Sequence, residues 1–349
     1  MLPTPSNRAV PELDRLSVVV PVYNEERWIG AALDALVESA GRAGIDLDVV
    51  VVDDGSSDGT PQVLAERDGR EGVRVLTQAN AGRVAARRAG VVAARHPWVL
   101  LLDSRVITSP EALSWVRDQV AEHPDRTVWC GHVDVDATGN PYAAYWSALV
   151  KLGWHRYTRR PRLVSFGAQD FDAYPKGTGC LLLPTDRLRS ALTGFTSLYE
   201  DASLASDDTR MLRELAAEHR IWLSPRFAFT YHGKSGYRGF VRQAFFRGTT
   251  FVDGYLGQSR LIGPAIVVAA VVGIATVATA AWRPRVAGTA VAAGLVAVPA
   301  AVRAAGGSAG EVRAAATLTP VFVPTFGAGV LRGLALALVT RLRRRADVP

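Results

Sequence analysis

Short apolar runs separated by helix-period segments fill the first part of the chain, and long unbroken apolar runs fill the last. Leu16-Ser17-Val18-Val19-Val20-Pro21-Val22-Tyr23 predicts a first strand, with Asn24-Glu25-Glu26 as the turn that leaves it. Over residues 28–43 apolar side chains recur at Ile29, Leu33 and Leu36, the spacing of an amphipathic helix. Residues 49–52 are all Val, too short a run for a helix and bounded by polar residues, which predicts a buried strand of a parallel sheet. The run ends in Asp53-Asp54-Gly55-Ser56-Ser57, with Ser57 or Asp58 placed to cap a helix that begins near Thr60-Pro61. A helix over 61–67, a strand over 73–76, the turn Gln78-Ala79-Asn80-Ala81-Gly82, an Ala- and Arg-rich helix to about 95 and a strand over 96–103 follow. This alternation is that of a doubly wound α/β sheet, which binds ligands outside the carboxyl ends of its strands.

The pattern continues less regularly. Residues 127–135 predict another strand. Residues 140–160 interleave Tyr142, Tyr145, Trp146, Trp154 and Tyr157 with Lys151, His155, Arg156, Arg159 and Arg160. That stretch reads either as an interfacial, acceptor-facing helix or as an amphipathic helix with its aromatics in the core. Lys176-Gly177-Thr178-Gly179 turns into a strand, and Ser206 or Asp207 caps a helix carrying Met211, Leu212 and Leu215. A strand over 220–223 leads to Thr230-Tyr231-His232-Gly233-Lys234, a glycine-containing loop.

From residue 261 the composition changes to Ala, Val, Leu, Gly and Ile with a few Arg. Residues 261–282 are long enough to cross a bilayer, and 286–302 reach the lower limit. Residues 314–340 are apolar but interrupted by Pro320, Pro324, Gly327, Gly329 and Arg332, and are expected to form a hairpin, a re-entrant segment or an interfacial helix. The expected organisation is a tail over 1–15, a globular domain over 16–255 and a membrane region over 256–349.

The net charge of +7 and a pI of about 9.7 raise nucleic acid, anionic lipid and phosphate ligands as partners. No Lys/Arg block with interleaved aromatics stands in the globular part, and no nucleic-acid motif is evident, so no nucleic-acid partner is expected. The cluster Arg341-Leu342-Arg343-Arg344-Arg345 follows an apolar segment, which favours lipid headgroups. The two cysteines, Cys130 and Cys180, make neither a disulfide framework nor a metal-like pair, and residues 1–15 lack the apolar core of a signal peptide. A cytoplasmic globular domain on a multi-pass membrane protein is therefore expected. Neither Gly-x-Gly-x-x-Gly after the first strand nor a P-loop occurs, which removes support for dinucleotide and P-loop nucleotide binding.

Taken in order, Val20-Pro21-Val22-Tyr23-Asn24-Glu25, Val52-Asp53-Asp54-Gly55-Ser56-Ser57-Asp58-Gly59-Thr60, Asn80-Ala81-Gly82 with Ala86-Arg87 and Gly90, and Leu102-Asp103 resemble the family 2 glycosyltransferases. The resemblance covers about residues 16–255. It implies the GT-A fold, a doubly wound Rossmann-like sheet that takes a nucleotide-diphosphate sugar. It implies a donor site of Pro21, Tyr23, Glu25, Asp53, Asp54, Asn80, Gly82, Arg87, Asp103 and Arg105, with the end of the first strand and Asp54 at the base and ribose and Arg87 near the diphosphate. It puts Gly177, Thr178 and Gly179, with His232 nearby, beneath the sugar and acceptor. It assigns the general base to Asp208, with Asp207 beside it and Glu200-Asp201 as a competing pair.

One departure stands out. The family shows Asp-x-Asp where this sequence has Asp103-Ser104-Arg105. Asp103 is expected to hold Mg²⁺ or Mn²⁺ with another partner, His232 being one candidate. Alternatively Arg105 supplies positive charge to the diphosphate itself, or turns outward to Glu111 or solvent. Metal dependence is thus left open. Processive members carry Gln-x-x-Arg-Trp, which Gln243-Ala244-Phe245-Phe246-Arg247-Gly248 does not match, so one transfer per binding event is expected. The expected function is inverting transfer to a membrane or lipid-linked acceptor in cell-envelope glycan or glycolipid assembly. A polyprenyl-phosphate sugar synthase and a catalytically silent sugar-nucleotide-binding scaffold are the alternatives.

Overall fold

A computed structural model of the chain describes residues 11–193, 197–201, 204 and 206–346, the side chains of 207 and 344–346 excepted. Of the expected tail, residues 1–10 lie outside the described residues, while Leu13 is buried in the core and Pro11 O accepts from Trp98 Nε1.

The first half alternates as its periodicity predicts: β1 (Arg15–Val22), α1 (Ile29–Ala43), β2 (Asp46–Asp53), α2 (Thr60–Ala65), β3 (Val73–Thr77), α3 (Arg83–Ala93) and β4 (Trp98–Leu102). β1 pairs in parallel with both β2 and β4, so the sheet order runs β3-β2-β1-β4. The chain therefore switches direction across the sheet between β1 and β4, where strand-end loops diverge and leave a crevice. Strand side chains alternate between faces. Val18, Val20, Leu100 and Leu102 enter one core with Leu33 and Leu36 of α1; Val19, Val99 and Leu101 enter a second on the other face. Gly90 of α3 lies flat on β1, because a methyl there would run into Val19.

The remaining elements are β5 (Val106–Thr108), α4 (Ala112–Glu122), β6 (Val128–Asp136), α5 (Pro141–Gly153), α6 (His155–Thr158), β7 (Val164–Phe166), β8 (Cys180–Pro184), α7 (Thr185–Thr193), α8 (Asp207–Glu218), β9 (Ile221–His232) and α9 (Tyr237–Tyr255). The sheet order is completed as β3-β2-β1-β4-β8-β6-β9-β5, with β7 paired to β9. β8 runs antiparallel between β4 and β6. Cys130 packs in one core and Cys180 in the other, on opposite faces of adjacent strands.

Several local expectations need correction. The helix expected over 140–160 breaks at Trp154 into α5 and α6, and its Asn140 cap accepts from the Tyr142 and Ala143 N–H groups. Its aromatics face inward: Tyr145 and Trp146 pack on Phe240 of α9. The strand expected over 220–223 runs on to His232, because its second half pairs with β5 and β6. That puts His232 at a strand end instead of in a loop. α2 starts at Thr60 with Gly59 as its cap, and the Asp58 carboxylate accepts from the Thr60 N–H instead of capping from its own position. Ser206 is the N-cap of α8 but makes no side-chain cap bond.

Three long helices end the described chain: α10 (Ile262–Trp282), α11 (Pro284–Ala304) and α12 (Ala309–Ala346), each long and apolar enough to cross a membrane. The 21 residues of α10 span about 31 Å. α10 and α11 present nearly all of their apolar surface outward, with Val268, Val272, Val277 and Trp282 exposed. α12 differs. It is continuous through Pro320 and Pro324, where interruptions were expected. Its tertiary contacts supply the reason: α5 lies against its first half through Tyr145, and α9 against its second half. Gly248 of α9 and Gly329 of α12 let the two backbones approach closely, and Thr249 Oγ1 donates to Gly329 O at 3.2 Å. Ser308 and Glu311 form a capping box at the start of α12, each accepting from the other's N–H.

Candidate active site

The ends of β1, β2, β3 and β4 lie along one edge of the sheet. Asp53 and Asp54, at the end of β2, are each only 3% exposed. Asp53 accepts from the Ser56 N–H at 3.0 Å. Asp54 accepts from Gln78 Nε2 at 2.7 Å, the Ala81 N–H at 2.9 Å and the Gly82 N–H at 2.8 Å. The pair expected to meet a base or ribose is thus engaged within the chain, Asp54 holding the Asn80-Ala81-Gly82 turn against the strand end. Gly82 has φ +89°, open to glycine at no cost, and starts α3. Tyr23 and Asn80 stand exposed at the rim, and Pro21 is half-buried at the end of β1.

Asp103 leaves β4 over the glycine turn. Its N–H donates to Gly179 O at 2.9 Å, and a methyl on Gly179 would lie 3.0 Å from Asp103 Oδ2. Thr178 is buried and Gly177 O accepts a weak bond from Cys130 Sγ. The turn is anchored by Lys176, whose ammonium donates to Phe171 O and Tyr174 O and lies over the Phe171 ring. Burial lowers Lys176 to about 8, against the pull of Asp172.

Arg87 reaches Asp103 from α3, with Nη2 3.9 Å from Oδ1. At 1% exposure it is a buried cation, which excludes a solvated helix charge. Arg105 Nε lies 2.6 Å from Glu25 Oε2, and Lys234 Nζ is 4.0 Å from the same carboxylate. Arg105 does not turn out to Glu111, which pairs with Arg42 instead. Glu25 is held by its own N–H, which donates to Thr60 Oγ1 at 2.8 Å.

Asp208 enters from α8. Its Oδ1 accepts from the Thr209 N–H at 2.7 Å and from Ser206 Oγ at 3.2 Å. Burial alone would raise its pKa; Arg83, Arg87 and Arg247, together with the Thr209 N–H, outweigh that and hold it below the ordinary carboxylate value. Arg87 thus lies 3.9 Å from Asp103 of β4, and its charge is one of those that lower Asp208 of α8. The Asp207 side chain lies outside the described residues. Glu200 is exposed and pairs with Arg343 of α12 at 3.0 Å.

His232 is committed elsewhere. Its ring stacks on Trp28 with centroids 3.8 Å apart, and Nδ1 lies 3.1 Å from Asp136 Oδ2. Among the described residues no group of three or more His, Cys, Asp or Glu forms a metal cluster. Asp103 still fits a Mg²⁺ or Mn²⁺ ion, because such ions on a diphosphate take one or two protein carboxylates and otherwise substrate oxygens and water.

This edge can be compared with known proteins. Residues 17–179, β1 through the glycine turn, match the family model described as Glycosyl transferase family 2. Those residues are a family 2 glycosyltransferase domain. Undecaprenyl-phosphate 4-deoxy-4-formamido-L-arabinose transferase of Pseudomonas aeruginosa (strain LESB58) is 32% identical over 149 residues, 42% of this chain and 43% of that protein. EpsJ of Bacillus subtilis (strain 168), an uncharacterized glycosyltransferase, is 29% identical over 119 residues, 33% of each chain. These matches span less than half the length of the curated relatives. Mannosyltransferase PcManGT from Pyrobaculum calidifontis, solved with GDP-Man and Mn²⁺, aligns over 91% of this chain and 86% of that chain, with a TM-score of 0.53 and 19% identity. That likeness establishes the GT-A fold, and the length aligned includes C-terminal helices beyond the sheet.

The family 2 domain ends before α8, so Asp208 lies beyond the matched residues. Periodicity missed the Trp28–His232–Asp136 group and the Arg105–Glu25 pair, since both form between segments far apart in sequence. The start of α12 at Ala309 was also missed, the segment being expected from 314; the Ser308-x-x-Glu311 spacing of a capping box is the signal that marks it.

Proposed function

We propose that the chain transfers a sugar, with inversion, from a nucleoside-diphosphate sugar to a lipid-linked acceptor at the cytoplasmic face of a membrane. The observation that carries this reading is the buried Arg87 3.9 Å from Asp103 at the sheet's switch point, its charge also holding the Asp208 carboxyl low, with α9 and the apolar helices packed beyond the sheet. Asn80, Gly82 and Tyr23 border the nucleotide. Arg87 and Arg105 face the diphosphate, and Asp103 holds a divalent ion where one binds, which neutralises charge on the leaving group. The acceptor hydroxyl attacks the anomeric carbon, a new carbon–oxygen bond forms as the bond to diphosphate breaks, and the hydroxyl proton passes to Asp208.

A second reading takes a polyprenyl phosphate as acceptor. The arginines around Asp208 favour it, because they weaken Asp208 as a base, suit an anionic acceptor, and a phosphate acceptor is already ionised at neutral pH. The named activity of the P. aeruginosa relative points the same way.

In either case α10 leaves the cytoplasm and α11 returns, while α12 lies docked on α5 and α9. The arginines at 303, 341 and 343 then stand on the cytoplasmic side, as the positive-inside rule favours.

The test uses the full chain in lipid nanodiscs with radiolabelled UDP-glucose, UDP-N-acetylglucosamine, GDP-mannose and dTDP-rhamnose, each with Mg²⁺, Mn²⁺ or EDTA. Label moving into lipid extract from one donor is the expected result. Undecaprenyl phosphate and a lipid-linked sugar offered separately decide between the acceptors. Binding without transfer from any donor to either acceptor would replace the enzyme with a silent scaffold.

A further inference from the structure

The start of α8 is tied to α9. Asp253 of α9 has no solvent exposure. A buried carboxylate needs partners, and those of Asp253 belong to α8 and the segment leading into it. Oδ1 accepts from the Leu198 N–H at 2.7 Å and from Ser197 Oγ at 3.1 Å. Oδ2 accepts from the Ser206 N–H at 2.7 Å. Arg210 Nε lies 3.5 Å from Oδ1 and donates to the Asp253 backbone carbonyl at 2.9 Å. Ser206 in turn donates from Oγ to Asp208. The next residue, Gly254, presses on the same place: a methyl there would lie 2.8 Å from Ser206 Oγ. Tyr199 adds a second tie, its hydroxyl donating to Thr249 O at 2.7 Å.

α9 is itself packed along α12 through Gly248, Gly329 and Gly333. Asp208 is therefore referenced to the α9–α12 pair, while Asp103 is referenced to β4. We propose that Asp253 is a positioning residue that sets Asp208 against Asp103. The acceptor-side carboxylate then keeps its register with the α9–α12 pair, beside which a lipid acceptor approaches. This proposal rests on the reading that Asp208 serves the transfer.

The test compares wild type with Asp253→Asn as full chains in nanodiscs, using the donor and acceptor that the transfer assay selects. Amide hydrogen exchange at Leu198 and Ser206 is measured without any ligand. The expected result is exchange at those amides at least tenfold faster, donor Kd within twofold of wild type, and kcat at least tenfold lower. A merely structural carboxylate would instead weaken donor binding in step with kcat, and that outcome overturns the proposal. So does faster exchange with kcat unchanged. Should Asp253→Asn not fold, Ser197→Ala decides: a threefold or greater loss of kcat at constant donor Kd supports the proposal, and unchanged kcat overturns it. Full transfer by Asp208→Asn would overturn the underlying reading of Asp208 and the purpose given to the clamp, and would be distinguished by exchange at Leu198 and Ser206 still responding to Asp253→Asn.

Discussion

Arg105 and Glu25 form an ion pair 2.6 Å long at the strand-end edge, with side chains 17% and 7% exposed. Arg105 occupies the position of the second acid of the family's Asp-x-Asp. Its partner is an acid from the β1 loop, so the site exchanges a free carboxylate for a paired one. Removing one member of a buried pair costs about 3–5 kcal/mol, because the other charge is left uncompensated. Arg105→Ala is expected to lower the melting temperature and weaken donor binding at least tenfold. The double change with Glu25→Gln is expected to restore the melting temperature and leave binding weak. Thermal melts and donor titration calorimetry check both.

Gly179 and Asp103 touch so closely that a side chain on Gly179 must displace the carboxylate. Gly179→Ala is expected to preserve the fold and to lower kcat/KM about tenfold, since small misplacements at a reacting centre are costly. If a divalent ion sits on Asp103, the same variant requires more Mn²⁺ for half-maximal transfer. A metal titration of the transfer rate reads this directly.

Asp208 is held ionised by its arginines. A carboxylate whose folded value is depressed adds stability that is present above its unfolded value, about 3.9, and lost as pH falls through the folded value. The acid limb of kcat is therefore expected below the ordinary carboxylate range where Asp208 sets it. Arg247→Ala removes one of the lowering charges and is expected to move that limb upward. Asp208→Asn is expected to cost about 10²-fold in kcat with a hydroxyl acceptor and much less with a phosphate.

Lys176 gives a slope of the same sign at higher pH, but from a buried charge that costs stability when protonated. Its folded value of about 8 lies below the ordinary 10.5 because burial opposes its charge. Between those values the unfolded chain binds more protons, so stability from this group rises with pH across that interval and is lowest below it. Lys176→Met is expected to flatten the melting temperature against pH between about 8 and 10.5 relative to wild type. Calorimetric melts at closely spaced pH values check it.

Glu311 joins α12 to α5: Ser147 Oγ donates to it at 2.5 Å, and Lys151 Nζ lies 2.7 Å away. Glu311→Ala removes a capping box and leaves Lys151 half-buried without its acid. A loss of about 2–4 kcal/mol is expected, from the cap and the broken pair together. The readout is detergent-solubilised chain retaining its fold on heating.

The alternation of strand and helix from β1 to β4 was legible because each strand is apolar over a few residues and each helix repeats near every third or fourth position. Val49 to Val52 need no partner to be recognised as a buried strand. The apolar runs of α10 and α11 were legible for the same reason: span length depends on composition alone. Asp103 and Asp208 were singled out by the family resemblance, one at a strand end and one at a helix start.

What the sequence could not carry was pairing across the fold. Arg105 offered three partners in sequence terms, and only the approach of the β1 loop to β4 selected Glu25. Asp54 could equally have faced a ligand; the turn over residues 78–82 folds back onto it and uses both of its oxygens. The prolines of α12 argued for a broken segment, but packing against α5 and α9 keeps it one helix. Periodicity reports the faces of single elements. Which charges meet, and which helix is covered by protein and which is left for lipid, are decided only when distant elements close on one another, since electrostatic pairing and burial depend on distance through space and not along the chain.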